Sequence, residues 1–283
     1  MTVTRTESFN GAAGLRLAAD VGGDPAGPPV LLLHGGGQTR HSWRTTFGAL
    51  AARGFHVINL DARGHGDSGW APDGDYALPA LAADLQAVIQ TLARPPALVG
   101  ASMGGATALY LLGQAHAKPL ASALVLVDIV PRLEVAGSQK IGNFMRANPG
   151  GFATLEEAAD AVAAYNPHRP RPKDPSGLMK NLRRRADGRL YWHWDPKFVE
   201  REVAAEPPQF IESLVAACAG VKIPTLLVRG MNSDIVSDAG VADLKRLVPH
   251  SEVFDVHGAG HMVAGDSNDA FNDAIMAFLG RAA

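Results

Sequence analysis

Apolar residues in this chain fall into short, nearly unbroken runs separated by stretches with a helical repeat. The runs lie at residues 30–33, 56–60, 97–99, 123–127, 225–228 and 253–256. Such runs mark strands buried on both faces of a mostly parallel sheet. Between them, Leu81, Leu85, Val88, Ile89 and Leu92 recur on one face of a helix predicted over residues 79–92, which Pro95-Pro96 closes. Residues 42–53 predict a helix with Ser42 as its N-cap and Gly54 past its end, and residues 105–112 another. At the start, residues 3–9 and 15–21 flank Asn10-Gly11, a hairpin signal, so the sheet should begin with an antiparallel edge.

The alternation stops between Pro131 and Pro208. Helical patches at residues 141–147, 154–165 and 178–186 are joined by proline-rich links such as Asn166-Pro-His-Arg-Pro-Arg-Pro, and no strand is expected among them. The chain therefore divides into a core, residues 1–130 and 209–283, and a helical cap, residues 131–208. An insertion at the C-terminal ends of parallel strands lies over the crevice where such sheets bind ligands. No internal repeat is present.

Composition narrows the function classes. With 283 residues, 47% hydrophobic and 19% charged, the chain suits one large α/β unit or a core with an insertion, and argues against disorder. Lys and Arg number 26 against 28 Asp and Glu, a net charge of -2, so neither nucleic acid nor an anionic membrane is the expected partner. A small neutral molecule is. The single cysteine, Cys218, excludes an intramolecular disulfide and a multi-thiolate metal site, and its neighbours Val215, Ala216 and Ala217 predict burial. No metal or cofactor is expected. The first residues lack the apolar core of a secretory signal and no apolar run reaches membrane-spanning length, so a cytoplasmic protein is expected.

The candidate chemistry centres on Gly100-Ala-Ser102-Met-Gly104, where a strand turns into a helix. Such a turn forces its central residue into a strained conformation and leaves no room for side chains two positions away, where both glycines stand. Ser102 is thereby offered as a nucleophile. Its base is sought near the end of the chain, where Gly260-His261 follows the last strand. His261 is preferred over His257 because Gly260 precedes it and the apolar Met262-Val263 follow. For the orienting acid, Asp234 is preferred over Asp128, because its strand should neighbour the one that leads to His261; Asp238 reads as a helix-start residue. An oxyanion would be held by the N–H of Met103 and by one from His34-Gly35-Gly36-Gly37, with Gly36 preferred and Gly37 in reserve. A phosphate-binding reading of these glycines lacks the Walker lysine and the G-x-G-x-x-G pattern.

Taken together, His34-Gly35-Gly36, Asp61-Ala-Arg63-Gly64-His65-Gly66-Asp67-Ser68, Gly100-Ala-Ser102-Met-Gly104, Asp234 and Gly260-His261 resemble the α/β-hydrolase superfamily in order and context. The resemblance covers the core on both sides of the cap. It implies an eight-stranded, mostly parallel sheet with helices on both faces, a Ser102-His261-Asp234 triad and a lid-lined pocket. It also implies a serine hydrolase acting on a small carboxylic ester or lactone through an acyl-enzyme. Perhydrolases and C–C bond hydrolases share the triad and are the alternative; a receptor on the same scaffold is a third reading. Dehalogenases and epoxide hydrolases of the superfamily attack with a carboxylate, which Ser102 replaces. In the Asp61 to Ser68 loop, a structural role for Arg63 and His65 is expected. Gln38, Trp43, His193 and Trp194 are candidate pocket residues, drawn from an aromatic inventory that includes Phe144, Met145, Phe152, Tyr191 and Trp192. The cap cations Arg169, Arg171, Lys173, Lys180, Arg183, Arg184 and Arg185 read as a solvated face, with attraction of an anionic substrate as the other reading.

Overall fold

The computed structural model describes residues 4–114, 118–167, 171–200, 208–261 and 268–282. Val3, Arg169 and Met262-Val263 lie outside the described residues. The strands are β1 (Arg5–Asn10), β2 (Arg16–Gly23), β3 (Pro29–Leu33), β4 (His56–Leu60), β5 (Ala97–Ala101), β6 (Ala123–Val127), β7 (Leu182–Arg184), β8 (Leu190–Trp192), β9 (Thr225–Gly230) and β10 (Glu252–Val256). Eight of them form one sheet in the order β1-β2-β4-β3-β5-β6-β9-β10. The β1–β2 and β2–β4 pairs are antiparallel, and every pair from β4 to β10 is parallel.

The helices are α1 (Arg44–Ala52), α2 (Leu78–Ile89), α3 (Met103–Leu112), α4 (Val135–Arg146), α5 (Leu155–Tyr165), α6 (Pro196–Glu200), α7 (Pro208–Cys218), α8 (Asp238–Leu247) and α9 (Asn268–Ala282). Alternate strand residues supply two cores. Leu31, Ile58, Leu98 and Leu124 face one way and pack with α2, α3, α7 and α8. Val30, Val57, Val99 and Val125 face the other way, with α1 and α9. Full burial of each such side chain contributes about 1.5–3 kcal/mol, so a strand whose residues are all apolar has a role on both faces. Among the described residues, no helix is long and apolar enough to cross a membrane. Cys218 is buried, and that burial pushes its thiol up to about 11, as befits a packing residue.

Three local expectations are corrected. The Ser42 hydroxyl donates to the Thr39 carbonyl (2.9 Å) inside a 3₁₀ turn, Arg40–Trp43, so α1 starts at Arg44 without a Ser42 cap. Helix α3 starts at Met103, directly after the serine. The insertion between β6 and β9 contains strands after all. A 3₁₀ segment, Ser176–Asn181, leads into β7, which pairs with β8 as an antiparallel hairpin closed around Gly188 at φ 81°. Leu182, Leu190 and Trp192 turn inward to a separate apolar cluster with Phe152, Ala158 and Trp194, and this packing overrides the helix preference of the arginine-rich run.

Candidate active site

Ser102 sits between β5 and α3 with φ 44° and ψ −113°, a conformation that costs a non-glycine residue energy and is held by its surroundings. Its N–H donates to the Val127 carbonyl (3.0 Å) and its carbonyl accepts from the Ala106 N–H (2.9 Å). The flanking glycines are required by close approach. A Cβ on Gly100 would stand 2.5 Å from the Gly105 nitrogen, and one on Gly104 would stand 2.5 Å from the Leu33 carbonyl oxygen. Met103 opens α3, so its N–H has no acceptor within the helix and points from the positive end of the helix dipole.

The loop after β3 is folded over this turn. A Cβ on Gly35 would touch the Ser102 Cβ at 3.5 Å, and one on Gly36 would reach the Met103 sulfur at 4.0 Å. The N–H of Gly35 donates to Gln38 Oε1 (3.1 Å) and that of Gly37 to His65 Nε2 (3.1 Å). Among the described residues, the Gly36 N–H has no acceptor. Gly37 is thus not available as a reserve donor: its N–H is taken, and its carbonyl accepts from His193 Nε2 (3.2 Å).

Three buried imidazoles fix that loop. The Ala62 N–H donates to His34 Nε2 (3.0 Å), so His34 donates from Nδ1 to the Gly35 carbonyl (2.8 Å). His65 accepts from Gly37 and therefore donates from Nδ1 to the Arg63 carbonyl (3.0 Å). His193 accepts at Nδ1 from the Gly66 N–H (2.8 Å). Burial lowers all three pKa values, His65 to about 3, and the neutral tautomers are set by their backbone partners. His193 was expected in the pocket; its exposure of 1% and its two backbone partners make it a brace instead. Nearby, Arg63 grips Asp84 with two bonds (2.6 and 2.8 Å), and Arg40 pairs with Asp61.

The structure brings Asp128, and not Asp234, to His261. Asp128 directly follows β6, has 1% exposure, and its Oδ2 accepts from His261 Nδ1 (2.7 Å). The Gly230 N–H (3.1 Å) and the Ser233 hydroxyl (2.6 Å) also donate to this carboxylate. Asp234 lies one residue further along the same loop, half exposed and paired with Lys140 of α4 (2.9 Å). The strand argument for Asp234 was right about adjacency, since β9 does neighbour β10, but the loop after β9 turns Ser233 inward and Asp234 outward. His257 is exposed. Ser102 and His261 are not hydrogen-bonded to each other. The available signal for Asp128 was its position: Val127 pairs with Ala101, so the residues after them end adjacent strands side by side.

A cavity of about 210 Å³ opens beside this group. Ala101, Val127 and His261 line it from the sheet side, with Gln38 and Trp43, both of which were expected there. Thr39, His41 and Asn181 complete it without a specific signal in the sequence, together with Ser42, read there as a helix cap, and Lys180, read there among the cap cations with attraction of an anionic substrate as the second reading. Trp194 is buried in the insertion's own core, stacked on Trp192 at 5.1 Å, with its ring edge facing Gly37. Among the described residues, no group of three or more His, Cys, Asp or Glu side chains could hold a metal ion.

A strained serine on a strand-to-helix turn, a glycine loop over it and a histidine paired with a carboxylate at the C-terminal strand ends agree with a family comparison. Residues 28–267 match the model of the alpha/beta hydrolase fold. The chain belongs to the α/β-hydrolase family. It is 32% identical over 260 residues to esterase Rv0045c of Mycobacterium tuberculosis, covering 89% of this chain and 83% of that one. It is 28% identical over 272 residues to the sn-1-specific diacylglycerol lipase ABHD11 of Mus musculus, covering 91% and 82%. Among solved structures, an E-2-(acetamidomethylene)succinate hydrolase superposes with a TM-score of 0.81 at 26% identity, covering 98% of this chain and all of that one. Relatives named as an esterase and a lipase support a carboxylic ester hydrolase within the family.

Proposed function

We propose that the chain hydrolyses a small carboxylic ester or lactone through an acyl-enzyme, with Ser102 as nucleophile, His261 as general base and acid, and Asp128 as the orienting carboxylate. The observation that carries this reading is the 2.7 Å bond from His261 Nδ1 to Asp128. It holds the proton on Nδ1 and leaves Nε2 as the basic nitrogen. His261 takes the Ser102 proton as the oxygen attacks the carbonyl carbon. The N–H groups of Gly36 and Met103 stabilise the oxyanion, and the alcohol departs with the proton from His261. Water then attacks the acyl group with the same base, and Ser102 is released. The hydrogen bond from the Ser102 hydroxyl to His261 belongs to the complex with substrate, where catalytic hydrogen bonds of this kind tighten. The core, residues 1–130 and 209–283, carries the chemistry, and the insertion, residues 131–208, acts as a cap that shapes the pocket.

Turnover of p-nitrophenyl butyrate tests the assignment. Ser102→Ala should lower kcat by about 10⁴-fold or more, and a fluorophosphonate probe should label the wild type but not the variant. Unchanged turnover in Ser102→Ala would remove the reading.

A further inference from the structure

The insertion is rich in cations, and most of those described are already engaged. Arg171 pairs with Asp160 (2.6 Å) and Arg183 with Asp67 (2.9 Å). Arg189 donates to the carbonyls of Gly150 (2.7 Å) and Gly151 (2.9 Å), Arg184 donates to that of Gly188 (2.6 Å), and Arg185 lies over the Tyr191 ring at 3.9 Å. Lys180 is different. It lines the cavity beside His261, and among the described residues it has no ion-pair partner.

The neighbours of Lys180 are suited to an anion. Asn181 uses its Oδ1 to accept from the Thr39 hydroxyl (3.4 Å), which turns its amide N–H groups away from Thr39. His41 adds a ring N–H, and no aspartate or glutamate stands among the described lining residues. A cation accompanied by amide and imidazole donors, with no acid to neutralise it, favours a carboxylate over an apolar chain.

We infer that this cavity is a subsite for a carboxylate carried by the ester substrate, with Lys180 as its cation and Asn181 and His41 as neutral donors. The inference rests on the ester-hydrolase reading and adds the substrate class: half-esters of dicarboxylic acids or esters of hydroxy acids, in preference to neutral esters of the same length. The reaction balances as ordinary hydrolysis, in which water adds across the acyl C–O bond to give an acid and an alcohol, while the distant carboxylate stays unchanged.

The test compares kcat/KM for monoethyl glutarate and diethyl glutarate, with acetoxyacetate as the probe carrying its charge on the alcohol side. The wild type should prefer a charged ester. Lys180→Gln should reduce the charged-to-neutral ratio by about tenfold, mostly through KM. Lys173→Gln, which alters an exposed insertion lysine outside the cavity, should preserve the ratio. Raising the ionic strength from about 0.05 M to about 0.5 M should erode the wild-type preference by shortening the screening length. Hydrolysis of the diester that is lost in Ser102→Ala, with a ratio that Lys180→Gln does not move, would overturn the subsite and leave the hydrolase standing. No hydrolysis of the three esters by a wild type that still turns over p-nitrophenyl butyrate would overturn the subsite alone, and absence of p-nitrophenyl butyrate turnover as well would overturn both.

Discussion

Asp128 has φ 48°, and with Ala13 and Ser102 it makes up the non-glycine residues of positive φ among those described. Aspartate and asparagine tolerate this left-handed region better than other side chains, so Asp128→Asn should preserve the backbone while removing the charge that orients His261. The expected result is a loss of about 10³–10⁴-fold in kcat with a nearly unchanged Tm. Asp234→Asn should stay within about fivefold of the wild type, because it breaks only an exposed pair with Lys140. Steady-state kinetics on the two variants decides between the carboxylates, and the reverse pattern would restore Asp234. Ser102 was readable from the sequence because two glycines at fixed spacing report a backbone requirement. The acid was not readable in the same way. Whether residue 233 or 234 faces inward depends on the path of one loop, and the positive φ of Asp128 leaves no trace in an aspartate, a residue common at strand ends.

Elements were legible where one physical requirement repeats along several residues. A strand buried on both faces must be apolar throughout, which is why β3, β5, β6 and β9 could be read directly as continuous runs. The β7–β8 hairpin could not be read so, because Arg184 is exposed and Arg183 half-buried, and the apolar residues that anchor it in the insertion core, Leu182, Leu190 and Trp192, do not form a continuous run. The strand-to-helix connection at Ser102 offers the sharpest test of packing at this scale. Gly104→Ala would push a methyl group to within 2.5 Å of the Leu33 carbonyl, both of them parts of rigid elements, and should destabilise the fold by about 1–3 kcal/mol while disturbing the Gly36 loop that follows β3. Gly48→Ala is the counterpart. Gly48 lies exposed within α1 and an added Cβ would meet nothing within 4 Å, so the substitution should stabilise by about 0.5–1 kcal/mol through helix propensity. Urea unfolding of both variants measures the contrast; equal effects would mean that the turn is looser than its geometry implies.

At the scale of the whole molecule, the three buried histidines join parts distant along the chain. His34 belongs to the loop after β3, His65 to the loop after β4 and His193 to the insertion, and their ring nitrogens meet backbone groups of Gly35, Gly37, Ala62, Arg63 and Gly66. Each ring is neutral in the folded state because burial lowers its pKa, whereas in the unfolded chain each titrates near 6.5. Between those two values the unfolded state binds more protons than the folded one, so stability rises with pH and falls as the solution is acidified below about 6.5. For His65 the loss continues down to about pH 3. Each such imidazole contributes a slope of up to roughly 1.4 kcal/mol per pH unit. Asp67, whose carboxyl is pushed up by burial but held low on balance by its bonds with Arg40 and Arg183, adds a loss of the same sign only nearer the carboxylate range. Urea unfolding at pH 7.5, 6 and 5 should therefore show a steep loss of stability. His65→Gln, whatever its stability at neutral pH, should make that dependence shallower by about one proton. A slope left unchanged by the substitution would mean that the His65 ring is charged or solvated in the folded protein, and the tautomer-locked support for the Gly36 loop would then have to be abandoned.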